Sequence, residues 1–179
     1  YTMSLSGEEI RKYLEFSYEG WINTMKNAND YLFKYRLDKN GNPSLNNGKA
    51  YFRNQSYNFD SAAGINYTVD VSKPFGSRIR IISMTNGLPF ELNKIYRVAV
   101  NSYRENGGGD LMTEGAGLTP GELRKRLITS TEKDLRYYMM NYIEKEKYIK
   151  PENLNNWKFI PENCVTQYRN KEYNLIFGK

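Results

Sequence analysis

The segment 101–110 (NSYRENGGGD) combines the residue types of a ligand-binding loop. It follows an apolar run over 95–100 that predicts a strand, so Tyr103 is expected just past a strand end. Glycine lets the backbone approach a ligand closely, and the carboxylate of Asp110 follows the glycines directly. The candidate binding residues of this loop are Asn101, Tyr103, Gly107, Gly108, Gly109 and Asp110. A plain surface turn has a similar composition, and this alternative stays open.

The glycines match neither of the common phosphate-binding motifs. The P-loop pattern GxxxxGK[ST] occurs nowhere in the chain. A dinucleotide fingerprint needs GxGxxG between a strand and a helix, but the spacing differs here and the stretch up to Thr119 is predicted to be non-helical. We interpret Tyr103 as a stacking platform for a base, because it is expected beside flexible glycines at a strand end.

Phe59 is the second candidate for stacking. It has polar neighbours on both sides, which is unusual for a core phenylalanine, although a loop anchored by one ring explains the pattern at least as well. Stacking on one ring contributes ~1–3 kcal/mol per base. One ring alone therefore gives roughly millimolar affinity or weaker, and two give at best about tens of micromolar, which suits a turnover site better than a sensor.

The composition excludes several kinds of chemistry. The chain has no histidine and a single cysteine, Cys164, so it lacks a Ser-His or Cys-His nucleophile, an internal disulfide and a multi-cysteine zinc site. We assign no catalytic residue and no metal ligand to this chain. The net charge is +6, but Lys and Arg are scattered among acids, which favours a solvated surface over a nucleic-acid footprint. No apolar run is long enough to predict a membrane span.

Helix and strand signals alternate along the chain. Ser6 and Glu9 have capping-box spacing and predict a helix over 7–18, and a second helix is predicted over 21–35. The turn-forming run over 38–49 predicts a loop or hairpin tip. The remaining predicted elements are strands at 65–71, 79–82 and 94–101 forming a meander, helices after Thr119-Pro120 and Ser130-Thr131, and short strands at 157–160 and 173–177.

This element order predicts one domain over residues 1–179 of α+β or mixed α/β class, with mostly antiparallel or mixed sheets and flanking helices. The helix after Ser130 carries apolar residues at helical spacing, which we interpret as a core-packing stripe. Its members are Leu135, Tyr138, Met139, Tyr142 and Ile143. The chain opens on Tyr1 as if inside a strand, and we expect it to be a fragment.

Three segments together resemble a known family. The strings GEEIRKYLEFS, YNFDSAAGINYTVDVSKPFGSRI and YRVAVNSYRENGGGD, with a later Asn155-Asn156-Trp157, are similar to the C-terminal domain of 5′-nucleotidases. The branch of 2′,3′-cyclic-nucleotide 2′-phosphodiesterases/3′-nucleotidases is the most similar. The resemblance extends over about residues 1–161, and its most specific part is the order of strand, Asn-x-Tyr-Arg and glycines.

The resemblance implies a layered α/β/β/α-type domain that recognises a nucleoside or nucleotide. In the family, an N-terminal metallophosphoesterase domain with two divalent metal ions hydrolyses the phosphate ester, and the proteins are periplasmic, secreted or at the cell surface. Two aromatic residues sandwich the base, and Tyr103 matches the second of them. This chain therefore needs no cofactor of its own and is expected to be inactive alone.

The chain departs from the family pattern at three points. The first aromatic belongs to a segment expected upstream of Tyr1, and Phe59 does not match its position. The carboxylate that usually follows two glycines follows three here, which shifts Asp110 by one position. The N-terminal edge of the domain is expected to be missing, leaving a groove or a surface covered by a neighbour. A tyrosine-rich module that binds glycan or protein remains the alternative function.

Overall fold

The computed structural model describes residues 1–27 and 29–178. Two small sheets, a two-stranded hairpin and several helices make up an α+β fold, as the element order predicts. The strands are β1 (Thr2–Ser6), β2 (Leu45–Asn46), β3 (Lys49–Ala50), β4 (Ile65–Asp70), β5 (Ile79–Met84), β6 (Ile95–Ala99), β7 (Leu127–Thr129) and β8 (Trp157–Ile160). The α-helices are α1 (Gly7–Glu19), α2 (Ser102–Glu105), α3 (Pro120–Arg126), α4 (Leu135–Glu146) and α5 (Glu162–Phe177).

The first sheet has the strand order β6-β1-β7, and both pairings are antiparallel. Met3 and Leu5 of β1 are both buried. They share one face of the sheet, because alternate residues of a strand point to the same side. Strand β6 pairs with β1 across the register from Thr2↔Ala99 to Ser6↔Ile95. The predicted three-strand meander is therefore wrong for its last strand, since β1 supplies a distant partner for β6.

The second sheet has the strand order β5-β4-β8. Strands β4 and β5 form the predicted antiparallel pair, and β8 lies parallel to β4 with Tyr67 opposite Trp157. Asn156, just before β8, donates from Nδ2 to the carbonyls of Ala62 and Ile65 at 2.7 and 2.8 Å. These bonds fix the chain that leads into β4.

Helix α1 connects the two hydrophobic cores. Its predicted capping box is confirmed: the Glu9 amide donates to Ser6 Oγ, and the Ser6 amide donates to Glu9 Oε2. Leu14 and Tyr18 belong to the larger core, which lies against β4. Ile10 and Tyr13 pack against both that core and the smaller one around Met3 and Leu5. The orientation of α1 therefore sets the relation between the two sheets.

Two predicted elements have a different secondary structure. The helix predicted over 21–35 does not form in its described residues, 21–27 and 29–35. Instead, Ile22 and Phe33 pair in an isolated antiparallel bridge, and the Met25 amide donates to the Val71 carbonyl. The predicted strand over 173–177 is the end of α5. Tyr168 and Glu172 lie four residues apart on one buried face of α5, which favours a helix there. Of the two alternatives predicted for 38–49, a loop or a hairpin tip, the pairing of β2 with β3 shows a hairpin.

Helix α4 forms where the sequence predicts a helix, but its apolar stripe is not a core stripe. No residue of α4 is buried in the structure. The prediction failed because helical spacing shows that apolar residues share a face and does not show that another element covers it. The exposed members of the stripe are Leu135, Tyr138, Met139, Tyr142 and Ile143.

Candidate functional site

The Tyr103 turn, residues 101–110, begins where β6 ends. Asn101 caps helix α2, because its Oδ1 accepts a hydrogen bond of 2.9 Å from the Arg104 amide. The cap places consecutive residues of α2 in opposite environments: the Tyr103 side chain is 48% exposed, whereas Arg104 is 2% exposed. As predicted, the aromatic ring lies just past a strand end and is open to solvent.

The three glycines build a tight turn against Tyr103. Gly107 and Gly109 have φ angles of 84° and 74°, which favour glycine. A Cβ on Gly108 would lie 2.5 Å from both Cδ2 and Cε2 of Tyr103 and 2.6 Å from its carbonyl oxygen. Gly108 therefore has to be glycine for the ring to rest on the turn. Asp110 is exposed and also has a positive φ, of 61°.

The stretch after the glycines is more helical than the sequence predicts. A 3₁₀ turn over Gly108–Asp110 is followed by a π-helical turn over Leu111–Gly115. Leu111 and Met112 are buried, with Met112 in the smaller core. The prediction of a non-helical stretch was wrong because short turns of this kind leave no periodic apolar pattern.

Arg104 is the centre of a buried polar network. Its Nε and Nη2 donate to the two carboxylate oxygens of Asp60 at 2.7 and 2.8 Å. Its Nη1 donates to the Gly108 carbonyl at 3.0 Å and to Asn58 Oδ1 at 3.4 Å, and Nη2 also donates to the Tyr57 carbonyl at 3.0 Å. The hydrogen bonds to Asp60 raise the pKa of the guanidinium, so it stays charged.

Asp60 is itself held by helix α1. Its backbone amide donates to Ser17 Oγ at 2.8 Å, and Ser17 Oγ donates back to its carbonyl at 2.7 Å. The Tyr13 hydroxyl donates to Asp60 Oδ2. Burial, and then the neighbouring carboxylate, raise the pKa of Tyr13, so the phenol remains the donor. The network thus runs from α1 through Asp60 to the Tyr103 turn.

A cleft of about 490 Å³ opens between the two sheets beside this network. Asn101, Arg104 and Asp60 are among its lining residues, together with Gly64 and Tyr96. Its walls combine apolar strand residues with few polar groups, as ligand pockets commonly do.

The predicted site residues separate into two groups. Asn101, Tyr103 and Asp110 lie together with the three glycines on the one turn. Phe59 lies elsewhere: its ring packs edge-on against Tyr18 and Trp21 in the larger core, with centroids 5.1 and 5.5 Å away. We do not retain Phe59 as a stacking residue, since these core contacts explain its position between polar neighbours.

Sequence reasoning missed the ion pair of Asp60 with the buried Arg104. Both lie inside the strings that carry the family resemblance, Asp60 directly after Phe59 and Arg104 directly after Tyr103. A charged residue next to an aromatic is not a signal of burial by itself, so only the fold identifies the pair. Within residues 1–27 and 29–178, no cluster of three potential His, Cys, Asp or Glu metal ligands is found. The same residues form no helix that is both long and apolar enough to cross a membrane.

The chain is similar to several nucleotide-hydrolysing proteins. It is 29% identical over 170 residues to the trifunctional nucleotide phosphoesterase protein YfkN of Bacillus subtilis, covering 89% of this chain and 10% of YfkN. It is 31% identical over 115 residues to the 2′,3′-cyclic-nucleotide 2′-phosphodiesterase/3′-nucleotidase of Salmonella typhimurium, covering 58% of this chain and 16% of that protein. The chain thus spans less than a fifth of the length of these relatives.

Solved structures show the same fold. A putative 5′-nucleotidase from Staphylococcus aureus superimposes over 88% of this chain and 26% of its own, with a TM-score of 0.58 at 17% identity. A 5′-nucleotidase precursor from Thermus thermophilus covers 90% of this chain and 25% of its own, with a TM-score of 0.55 at 22% identity. The family profile for the 5′-nucleotidase C-terminal domain matches residues 1–114, which include the whole Tyr103 turn. On this match, the chain belongs to the 5′-nucleotidase C-terminal domain family.

Proposed function

We propose that this chain is the nucleoside-recognition domain of a metal-dependent nucleotide phosphoesterase, with the base stacking on Tyr103. The observation that carries the proposal is the 48% exposed ring of Tyr103 on a short helical turn that glycines and the ion pair of buried Arg104 with Asp60 hold in place. An exposed aromatic ring gives every base a π-face to stack on and tolerates different bases.

The polar groups around the ring suit a nucleoside. Asn101 uses its Oδ1 to cap α2, which leaves the Nδ2 amide to donate to a ligand. Asp110 is exposed at the end of the turn and is our candidate for the ribose hydroxyls. Gly107, Gly108 and Gly109 are half-buried and precede Asp110 on the same turn.

The chemistry itself belongs to another part of the parent protein. The relatives are phosphoesterases and nucleotidases several times longer than this chain. We propose that a metallophosphoesterase domain of the same protein holds two divalent metal ions, which stabilise the entering and leaving oxygens during hydrolysis. Cyclic 2′,3′-nucleotides and 3′-nucleotides are the proposed substrates, and the proposed location is periplasmic, secreted or at the cell surface.

A titration followed by NMR tests the recognition role. Adenosine, AMP and UMP are added separately to the chain, and we expect saturable shifts in the Tyr103 turn with roughly millimolar dissociation constants. Tyr103→Ala should raise the constant for adenosine about fivefold or more, since stacking contributes at least ~1 kcal/mol. Tyr51→Ala is the matched control, because Tyr51 is 44% exposed and also lies against an arginine. The guanidinium carbon of Arg36 is 5.7 Å from the centroid of the Tyr51 ring.

Two results would contradict the proposal. One is the absence of saturable shifts at ligand concentrations several times the expected dissociation constant. The other is an equal loss of binding in Tyr103→Ala and Tyr51→Ala. The second candidate function is binding of a protein or glycan. It is favoured by the exposed tyrosines on α4, among them Tyr138 and Tyr142. Binding of a glycan or protein that Tyr142→Ala abolishes and Tyr103→Ala leaves intact would favour it.

A further inference from the structure

We propose that the ion pair of Asp60 and Arg104 is the positioning element of the base-stacking turn, and that Arg104 is not a phosphate ligand. The inference rests on the proposed function, because it concerns how Tyr103 is held for a base. An arginine directly after a stacking residue would otherwise be the first candidate for contacting a phosphate.

The geometry commits Arg104 to the protein. The side chain is 2% exposed, and every guanidinium nitrogen donates to an acceptor within the chain. The Asp60 carboxylate accepts two of these bonds in a bidentate arrangement, and its negative charge balances the positive charge of the guanidinium. To bind Arg104, a phosphate would have to displace the carboxylate of Asp60, which is 27% exposed, from a guanidinium that is 2% exposed. Breaking the hydrogen bonds of a buried charge in this way is costly.

The same contacts connect Tyr103 to the rigid part of the fold. Arg104 lies with its guanidinium carbon 5.3 Å from the centroid of the Tyr103 ring and binds the carbonyl of Gly108, on which the ring rests. Asp60 is fixed to α1 through Ser17 and Tyr13. Helix α1 therefore holds Asp60, Asp60 holds Arg104, and Arg104 holds the turn on which the ring lies. These contacts preorganise the turn for stacking.

The chain offers a matched control in Arg78. This side chain is also 2% exposed, and its Nη1 donates to Glu19 Oε2 at 2.6 Å. Its other bonds reach the Lys73 carbonyl and Thr24 Oγ1, so its network shares no residue with the Tyr103 turn. Arg78→Lys and Arg104→Lys therefore each perturb a buried arginine paired with a partly exposed carboxylate, Glu19 at 36% and Asp60 at 27%. Only the second substitution acts on the turn.

The experiment compares wild-type, Arg104→Lys and Arg78→Lys chains. Amide hydrogen exchange without ligand is measured over 103–110 and over β4, and adenosine and AMP are titrated separately. We expect Arg104→Lys to speed exchange over 103–110 relative to β4 and to raise both dissociation constants by the same factor. That factor is about threefold if the turn keeps its binding conformation a third of the time. Arg78→Lys should change neither reading.

Three results would overturn the positioning role. They are unchanged exchange over 103–110 in Arg104→Lys, equal effects of the two lysine variants, and a larger loss for AMP than for adenosine, which would make Arg104 a phosphate ligand. If the wild-type chain binds adenosine and Arg104→Lys binds it equally well, this inference fails and the proposed function stands. If Arg104→Lys loosens the turn but the wild-type chain does not bind adenosine, the proposed function fails instead.

A measurement on the wild-type chain covers the case in which Arg104→Lys does not fold. The guanidinium protons of a fully hydrogen-bonded, buried arginine exchange slowly and give separate NMR signals. We expect such signals for Arg104, unchanged when AMP is added. Rapidly exchanging Arg104 protons, or a shift of their signals with AMP but not with adenosine, would refute the inference.

Discussion

Gly108→Ala is the sharpest single change that the structure suggests. Two of the three close atoms that the new methyl group would meet belong to the Tyr103 ring, which can rotate away. The third is the Tyr103 carbonyl oxygen at 2.6 Å, which cannot move without shifting α2. Overpacking of this kind costs about 1–3 kcal/mol. If the ring swings off the turn, stacking worth ~1–3 kcal/mol is lost as well, and affinity falls by roughly 5- to 150-fold.

The assay combines thermal unfolding with an adenosine titration. Gly121→Ala is the control, because a Cβ there would meet only Thr119 Oγ1 at 4.0 Å, in the first turn of α3. It should leave adenosine binding unchanged and raise stability by up to about 1 kcal/mol through helix propensity. If Gly108→Ala binds adenosine as the wild type does, while Tyr103→Ala does not bind, the contact between glycine and ring has no role in recognition.

Two further predictions concern the fold. Met139→Asp on α4, at a side chain 53% exposed, should change the free energy of unfolding by less than about 0.5 kcal/mol, whereas Met112→Ala, at 1% exposure, should cost about 2–5 kcal/mol; urea unfolding showing similar losses would place α4 in a core. Burial raises the pKa of Glu172 above 4.5, so its contribution to stability is greatest below that pH and declines as pH rises through the raised pKa. Urea unfolding from pH 4 to 7 should therefore show the stability of wild type relative to Glu172→Gln falling with pH, and a flat or rising difference would contradict the burial of this carboxylate.

Local signals in the sequence predict local structure well here. The capping box at Ser6 and Glu9, the turn-rich hairpin and the alternation in β4 each act over a few residues, and the structure confirms all three. The turn with Tyr103 belongs to the same class, because a strand end followed by glycines is defined within ten residues of chain.

Several of the wrong predictions share a physical cause, which is contact with residues distant in sequence. Strand β6 pairs with β1 from the other end of the domain, and the amides of Leu32 and Phe33 donate to Glu172 on α5. Tertiary partners of this kind override local propensity. Arg104 was missed for the same reason, since its burial depends on Asp60, 44 residues earlier in the chain.

The parallel pairing of β8 with β4 has a consequence for synthesis of the protein. Tyr67 emerges from the ribosome about ninety residues before its neighbour Trp157. At ~5–20 residues per second, one edge of β4 waits roughly 5 to 20 seconds for its partner. During that interval the unpaired edge of β4, whose apolar residues are buried in the folded domain, can pair with other nascent chains. We therefore expect slower translation between these two strands to lengthen the time for which this edge of β4 is unpaired.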